Sequence, residues 1–347
     1  MNNIVIQANI TFEETNEIRK GPLSRVFLAK DLQLDAEIVV KEIKKTDFSN
    51  PDEYFTEARI LYSMKHPNIA EIQYACEKNQ FIYLSMPYYP DGSLEKLYNK
   101  RPFSVREIIK YSLDFLKGLH FIHTKGLLHL DVKPGNVLIN SSGVAMLTDF
   151  GLSKFVNNFD VAEYDKVYQT HRYPESFITN YASKQSDIYQ AGVTLYRMCN
   201  GDPLFKKQQA TQTGIQSGKY PDRNVFLPHI PQSLIKVIKK ALNVNPTDRH
   251  DSVLELMNEL SKIDKNLDWR YNFDVTTRTN VWSVEGPTSF KSIQLFNDNG
   301  TWKTVGKQTS KSSKQTKNFT RWNSQHNSFS EAEKQIKAFI AQYERQL

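Results

Sequence analysis

Short alternating runs open the chain, and helical spacing takes over about a quarter of the way along. Residues 10–45 read as strands: "SRVFLAKD" (24–31) and "EIVVKEI" (37–43) are β-branched and apolar, with the polar "LQLDA" between them. A helix is expected over about 51–65. Asn50 would cap it, Pro51 would take the first helical position, and Phe55, Leu61 and Met64 recur at helical spacing with Glu57 one turn before Leu61. After "HPNI" come two further strand-like runs, "IAEIQYACE" (69–77) and "QFIYLSM" (80–86), and then the breaker "PYYPDGS".

Beyond residue 92 the period is helical. "SVREIIKYSLDFLKGLHFIH" (104–123) opens on a capping box, Ser104 and Glu107, with Ile108, Ile109, Leu113, Leu116 and Leu119 on one face. More helices are expected near 186–200, 231–242 and 251–264. After 265 the pattern changes again. "SFKSIQLF" and "TWKTVGKQ" flank "NDNG", a strong hairpin signal, and "NFTRWNS" reads as a third strand. A final helix is expected from Ser330, with a capping box of Ser330 and Glu333 and a stripe of Ala332, Ile336, Phe339, Ile340 and Tyr343. These periodicities predict an α+β chain in three parts: a β-rich lobe over 1–86, a mostly helical lobe over 87–264, and a small strands-then-helix module over 265–347.

Composition narrows the setting. No apolar run approaches the roughly 18–20 residues that span a bilayer, and the N-terminus lacks the basic and apolar regions of a signal peptide. A membrane association is therefore not expected. Cys76 and Cys199 lie far apart and outside any C-x-x-C arrangement, which excludes a disulfide framework and suits a reducing, cytoplasmic setting. The net charge of +7 is uneven: residues 265–347 carry 13 Lys and Arg against 7 Asp and Glu, while residues 1–264 carry 32 against 31. Arguments from basicity therefore belong to the C-terminal module.

The candidate chemistry lies in an ordered set of motifs. "IVVK" ends in Lys41 and is followed by Glu57 on the first helix. Further on come "GLLHLDVKPGNVLI" (126–139), "LTDFGLSK" (147–154), "YPE" (173–175), "SDIYQAG" (186–192) and "NPTDRHD" (245–251). Alone, each has a bland reading as a turn, a strand end or surface charge. Their joint order and spacing resemble the eukaryotic-type protein kinase family over roughly residues 10–264.

The resemblance implies a bilobal kinase fold, ATP as phosphoryl donor with Mg²⁺ or Mn²⁺, and protein substrates. It implies that Asp131 orients the acceptor hydroxyl and takes its proton, and that Lys133 neutralises the γ-phosphate. Lys41 would grip the α- and β-phosphates, fixed by Glu57, while Asn136 and Asp149 would hold the metal. Gly21, Val26, Val39, Met86, Tyr88 and Leu138 would line the nucleotide pocket, with Met86 as gatekeeper. Glu175 and Arg249 would form a buried ion pair, Asp187 would hold the catalytic-loop backbone, and Thr170 would contact Asp131 and Lys133. Lys133 favours Ser or Thr over Tyr as acceptor, and autophosphorylation is expected.

Three departures qualify the resemblance. The glycine-rich loop aligns with "RKGPLSRV" (19–26), where Arg19 and Ser24 replace two glycines and Pro22 lacks an N–H. This weakens the cover over ATP unless Arg19 contacts phosphate directly. "QTHRYPE" (169–175) is two residues shorter than the family's pattern. Leu130 stands where many kinases carry an arginine that pairs with an activation-loop phosphate, so activity through that pocket should not need loop phosphorylation.

Two other readings compete: a pseudokinase or nucleotide-binding scaffold with a degenerate glycine-rich loop, and a small-molecule kinase. In the module, residues 301–321 hold six basic residues and no acidic one, near Trp302, Phe319 and Trp322. That segment suits an acidic partner or nucleic acid, or else a solvated hairpin whose lysines protect an edge strand. His120 and His123 are a helical pair without a third metal ligand.

Overall fold

The computed structural model describes residues 9–21, 24–48, 50–164 and 169–345. Pro22, part of the glycine-poor loop, lies outside them. Five antiparallel strands form the first sheet: β1 (Phe12–Lys20), β2 (Ser24–Asp31), β3 (Ala36–Lys44), β4 (Tyr74–Lys78) and β5 (Phe81–Pro87), in the order β1-β2-β3-β5-β4. Period-two alternation gives the sheet two faces. Phe27, Ala29, Ile38 and Val40 pack together on one face. Val26 opposite Lys41 and Val39 opposite Met86 lie on the other.

The first helix is shorter than its spacing predicts. Pro51–Glu53 form a 3₁₀ turn, and α1 runs over Thr56–Ser63. Tyr54 and Phe55 turn into the cluster of Ile43, Ala58, Ile82 and Leu84, which separates the two segments. Of "IAEIQYACE", only residues 74–77 enter a strand, because Ala70 donates its N–H to Leu147 in the next lobe at 2.8 Å.

The helical lobe contains α2 (Leu94–Lys100), α3 (Val105–Thr124), α4 (Lys184–Lys206, broken at Gly201), α5 (Gln212–Gln216), α6 (Gln232–Ala241) and α7 (Val253–Ser261). The expected capping box is present: Ser104 Oγ accepts from Glu107 N, and Glu107 accepts from Ser104 N. α4 is buried all round, so it shows no single apolar stripe. Short two-stranded ribbons hold the loops: β6 (Leu127–Leu128) with β9 (Lys154–Phe155), β7 (Val137–Ile139) with β8 (Ala145–Leu147), and β10 (Ala162–Glu163) with β11 (Tyr181–Ala182).

The last part is a strands-then-helix unit with its own core. β12 (Arg270–Asp274), β13 (Thr279–Glu285), β14 (Ser289–Asp298), β15 (Thr301–Ser310) and β16 (Thr316–Asn318) form a meander, and β17 (Ser324–His326) also pairs with β15. Asn299 (φ 51°) and Gly300 (φ 91°) make the tight β14–β15 turn that "NDNG" predicts. α8 (Phe329–Glu344) packs Ile336, Phe339 and Ile340 against Trp269, Trp282 and Trp322.

Several expectations are corrected here. β12 and β13 have no counterpart in the sequence reading, since polar residues dilute their alternation. "NFTRWNS" is not one strand: Trp322 folds into the core through a 3₁₀ turn at Thr320–Trp322, between β16 and β17. α8 is capped two residues earlier than expected, by Ser328 Oγ accepting from Glu331 N, with Glu331 accepting from Asn327 N. β15 is an interior strand with β14 on one side and β16 and β17 on the other, so its own lysines guard no edge, whereas Lys317 lies on the edge strand β16. No helix among the described residues is long and apolar enough to cross a membrane.

Candidate active site

The cleft below the first sheet begins with Lys41 on β3. Its ammonium lies 2.8 Å from both carboxylate oxygens of Glu57, on the first turn of α1, and 2.8 Å from Asp149 Oδ1. Burial acts to lower the Lys41 pKa, but the carboxylates of Asp149 and Glu57 outweigh it and raise the value, so the lysine stays charged. Burial likewise acts to raise Asp149, and Lys41 outweighs it, holding that carboxyl well below its usual range. The second Asp149 oxygen is 3.9 Å from the guanidinium of Arg19, the residue standing in for the loop's first glycine. A register shift between Glu17 and Arg19 interrupts the β1–β2 ladder immediately before it.

The loop between β6 and β7 carries Asp131. Its Oδ2 accepts from Lys133 Nζ at 2.6 Å and from Asn136 Nδ2 at 2.7 Å. Its Oδ1 is buried and has no hydrogen-bond partner, an acceptor free to meet a donor brought by another molecule. Burial pushes the Asp131 carboxyl up, against the lowering effect of Lys133. Asn136 commits its Nδ2 to Asp131, which leaves its amide oxygen for other ligands. Thr148 N donates to Asn136 O at 3.0 Å and so ties Asn136 to the segment bearing Asp149. An amide oxygen and a carboxylate are the hard donors that Mg²⁺ accepts, and the residues fit such a cation. No cluster of three His, Cys, Asp or Glu among the described residues offers another site.

Asp187, at the start of α4 and fully buried, accepts from His129 N (2.8 Å) and Leu130 N (2.7 Å) and faces His123 Nε2 at 2.7 Å. His123 therefore serves this carboxylate rather than a metal. Phe150 packs edge-on against His129, ring centroids 4.9 Å apart. Arg249, whose side chain is 0% exposed, meets Glu175 through two bonds of 2.9 and 2.7 Å. One helical stripe went unrecognised in the sequence. Asp187, Gln190, Thr194 and Arg197 recur at spacings of three and four on α4, and all four are buried. Polar residues at i, i+3, i+7 and i+10 in an otherwise apolar helix were the available signal.

The nucleotide-pocket candidates lie on the first sheet, just beyond its last strand and on β7. Val26, Val39 and Met86 share the lower sheet face, Gly21 closes the β1–β2 turn by donating to Ser24 O, and Tyr88 follows β5. Leu138 on β7 forms a bridge with Ser93. All six are half-buried. Thr170 lies in a 3₁₀ turn where its carbonyl accepts from Tyr220 Oη at 3.0 Å. In the basic segment, Lys303 pairs with Asp298 and Lys311 with Glu285, so part of its charge is met within the chain.

Comparison with known proteins adds the lineage. Residues 12–260 match the family described as "Protein kinase domain". Similar proteins include a probable serine/threonine-protein kinase of Clostridium perfringens, 28% identical over 261 residues, covering 72% of this chain and 38% of that protein. The probable serine/threonine-protein kinase PknB of Lactococcus lactis is 27% identical over 254 residues, covering 71% of this chain and 40% of its own. Serine/threonine-protein kinase PrkC of Bacillus subtilis is 27% identical over 245 residues, covering 68% and 38% respectively. The chain thus spans about two-fifths of the length of these relatives.

Proposed function

This chain belongs to the protein kinase family, and on that premise we propose that it transfers the γ-phosphate of ATP to serine and threonine hydroxyls of protein substrates. The observation that carries the reading is the joined constellation of Lys41, Glu57 and Asp149 facing an Asp131 with one buried, unpartnered oxygen.

Asp131 orients the acceptor hydroxyl and takes its proton, and its burial-raised pKa makes it a better base than an exposed carboxylate. Lys133, bonded to that same carboxylate, sits where negative charge develops on the transferred group. Lys41 binds the α- and β-phosphates, held in place by Glu57. Asn136 and Asp149 hold the divalent cation, for which we favour Mg²⁺ with Mn²⁺ as a substitute. When bound, such an ion neutralises the phosphate oxygens. Arg19 compensates for the missing glycines by contacting phosphate with its guanidinium. Leu130 removes the handle for a loop phosphate, so the active form requires none.

Radiolabelled ATP tests the reading. The full chain should label itself or added casein, and Asp131→Asn, which keeps the side-chain shape but cannot accept the proton, should lower the rate by about 10²–10⁴-fold. Equal labelling by wild type and Asp131→Asn would sink it.

A further inference from the structure

Gln190 lies one helical turn beyond Asp187 and is fully buried. Its carboxamide bonds at both ends. Oε1 accepts from Val132 N at 3.0 Å, and Nε2 donates to Leu130 O at 2.9 Å. The residue between those two peptide groups is Asp131. One side chain therefore clasps the backbone on either flank of the candidate base.

The neighbouring groups are held as firmly. Asp187 takes Leu130 N, Asp131 N donates to His129 Nδ1, and Asn136 Nδ2 donates to Asp131 O. Val132 O accepts from Thr194 Oγ1 and from His171 Nδ1–H. Every backbone N–H and C=O from Leu130 to Val132 thus ends on a side chain, with Gln190 taking two of the six. This fixation opposes a real strain. Leu130 has φ 63°, a left-handed conformation that an ordinary L-residue rarely adopts. Leu130, being aliphatic, has no charged group through which a phosphorylated loop can order it.

We infer that Gln190 is a positioning residue: by clasping Leu130 O and Val132 N it holds Asp131 in its working geometry and takes over the ordering that a loop phosphate supplies elsewhere. The inference rests on the reading of Asp131 as the base. A carboxamide suits the task because it offers a donor and an acceptor side by side without a charge beside Asp187. The clasp is part of the folded lobe, so the loop stands ready before any modification.

The test uses the full chain with Gln190→Ala and Gln190→Glu. The glutamate is isosteric and retains the acceptor for Val132 N, but has no donor for Leu130 O when ionised. The readouts are kcat and KM for ATP in transfer to casein, the Kd of a fluorescent ATP analogue, and the melting temperature. For a misplaced base, kcat falls about 100-fold in the alanine variant, while the analogue's Kd and KM for ATP stay within about twofold, a split that a purely structural residue would not give. Two results overturn the inference: kcat within twofold of wild type in both variants, or parallel losses of kcat and analogue binding. If Gln190→Ala fails to fold, Gln190→Glu decides by the same criteria. A wild-type rate no higher than that of Asp131→Asn refutes the base assignment itself and is thereby distinguished from failure of Gln190 alone.

Discussion

Two residues of the candidate site, Leu130 and Asp149, hold positive φ angles of 63° and 64° without being glycine. Such strain persists only where surrounding bonds over-determine the conformation, and here those bonds come from Asp187, Gln190 and Lys41. At this scale the ion pair between Lys41 and Glu57 is the most exposed to test. Glu57→Ala removes one of two carboxylates on a buried ammonium and frees the lysine from α1. A charge-assisted bond contributes about 1.5–3 kcal/mol, which corresponds to roughly 10- to 150-fold. Steady-state kinetics should show that loss in kcat/KM for ATP, while the melting temperature of the helical lobe changes little.

Among the elements, α4 has the widest role, because the part before its break at Gly201 supplies Asp187, Gln190, Thr194 and Arg197 to loops from two other regions. The Glu175–Arg249 pair fastens the segment before α4 to the turn before α7. With Arg249 fully buried, Glu175→Ala strands a charge, and the helical lobe should lose about 3–5 kcal/mol in denaturant unfolding. The loop after Asp149 gives a contrasting expectation. Replacing Ser153, Tyr164 and Tyr168 together by Ala or Phe, and keeping Thr170 because the resemblance sets it against Asp131 and Lys133, should leave transfer to casein within a few-fold of wild type. Abolished activity in that folded variant would remove the idea that Leu130 frees the enzyme from loop phosphorylation.

Across the whole molecule, the C-terminal module is joined to the helical lobe by a compact set of contacts. Arg106 meets Asp268 through bonds of 2.7 and 2.9 Å, and its N–H donates to Leu267 O. Glu344, on the last turn of α8, accepts from Asn266 N and Trp269 Nε1. Asn266 in turn donates to the carbonyl of His229. Burial lowers the His229 pKa to about 3, against about 6.5 in an unfolded chain. Between those values the unfolded state binds the extra proton, so this group's stabilising contribution is complete above about pH 6.5 and is lost as pH falls towards 3. The slope is on the order of 1.4 kcal/mol per pH unit. Melting temperatures at pH 7.5 and 5 should therefore differ less in His229→Gln than in wild type.

Local rules made much of this legible in advance. β2, the capping box of α3 and the "NDNG" turn depend on alternation, capping chemistry and positive φ within a few residues, and so can be read from the chain alone. Lys41, Glu57, Asp131, Asn136 and Asp149 were proposed from the order and spacing of motifs that resemble the protein kinase family, and the structure brings Lys41 to Glu57 and Asp149, and Asn136 to Asp131. Other features depend on distant partners. β12 and β13 became strands by pairing with each other and, through β13, with β14, and Trp322 left its expected strand for a core built with Trp269 and Tyr343. The contact between Arg19 and Asp149 joins residues 130 positions apart. The clasp of Gln190 on both sides of Asp131 joins residues about 60 apart. A sequence determines which groups are present and their local conformation. Only tertiary packing decides which of them meet, because each buried polar group must find its partner wherever the fold brings one.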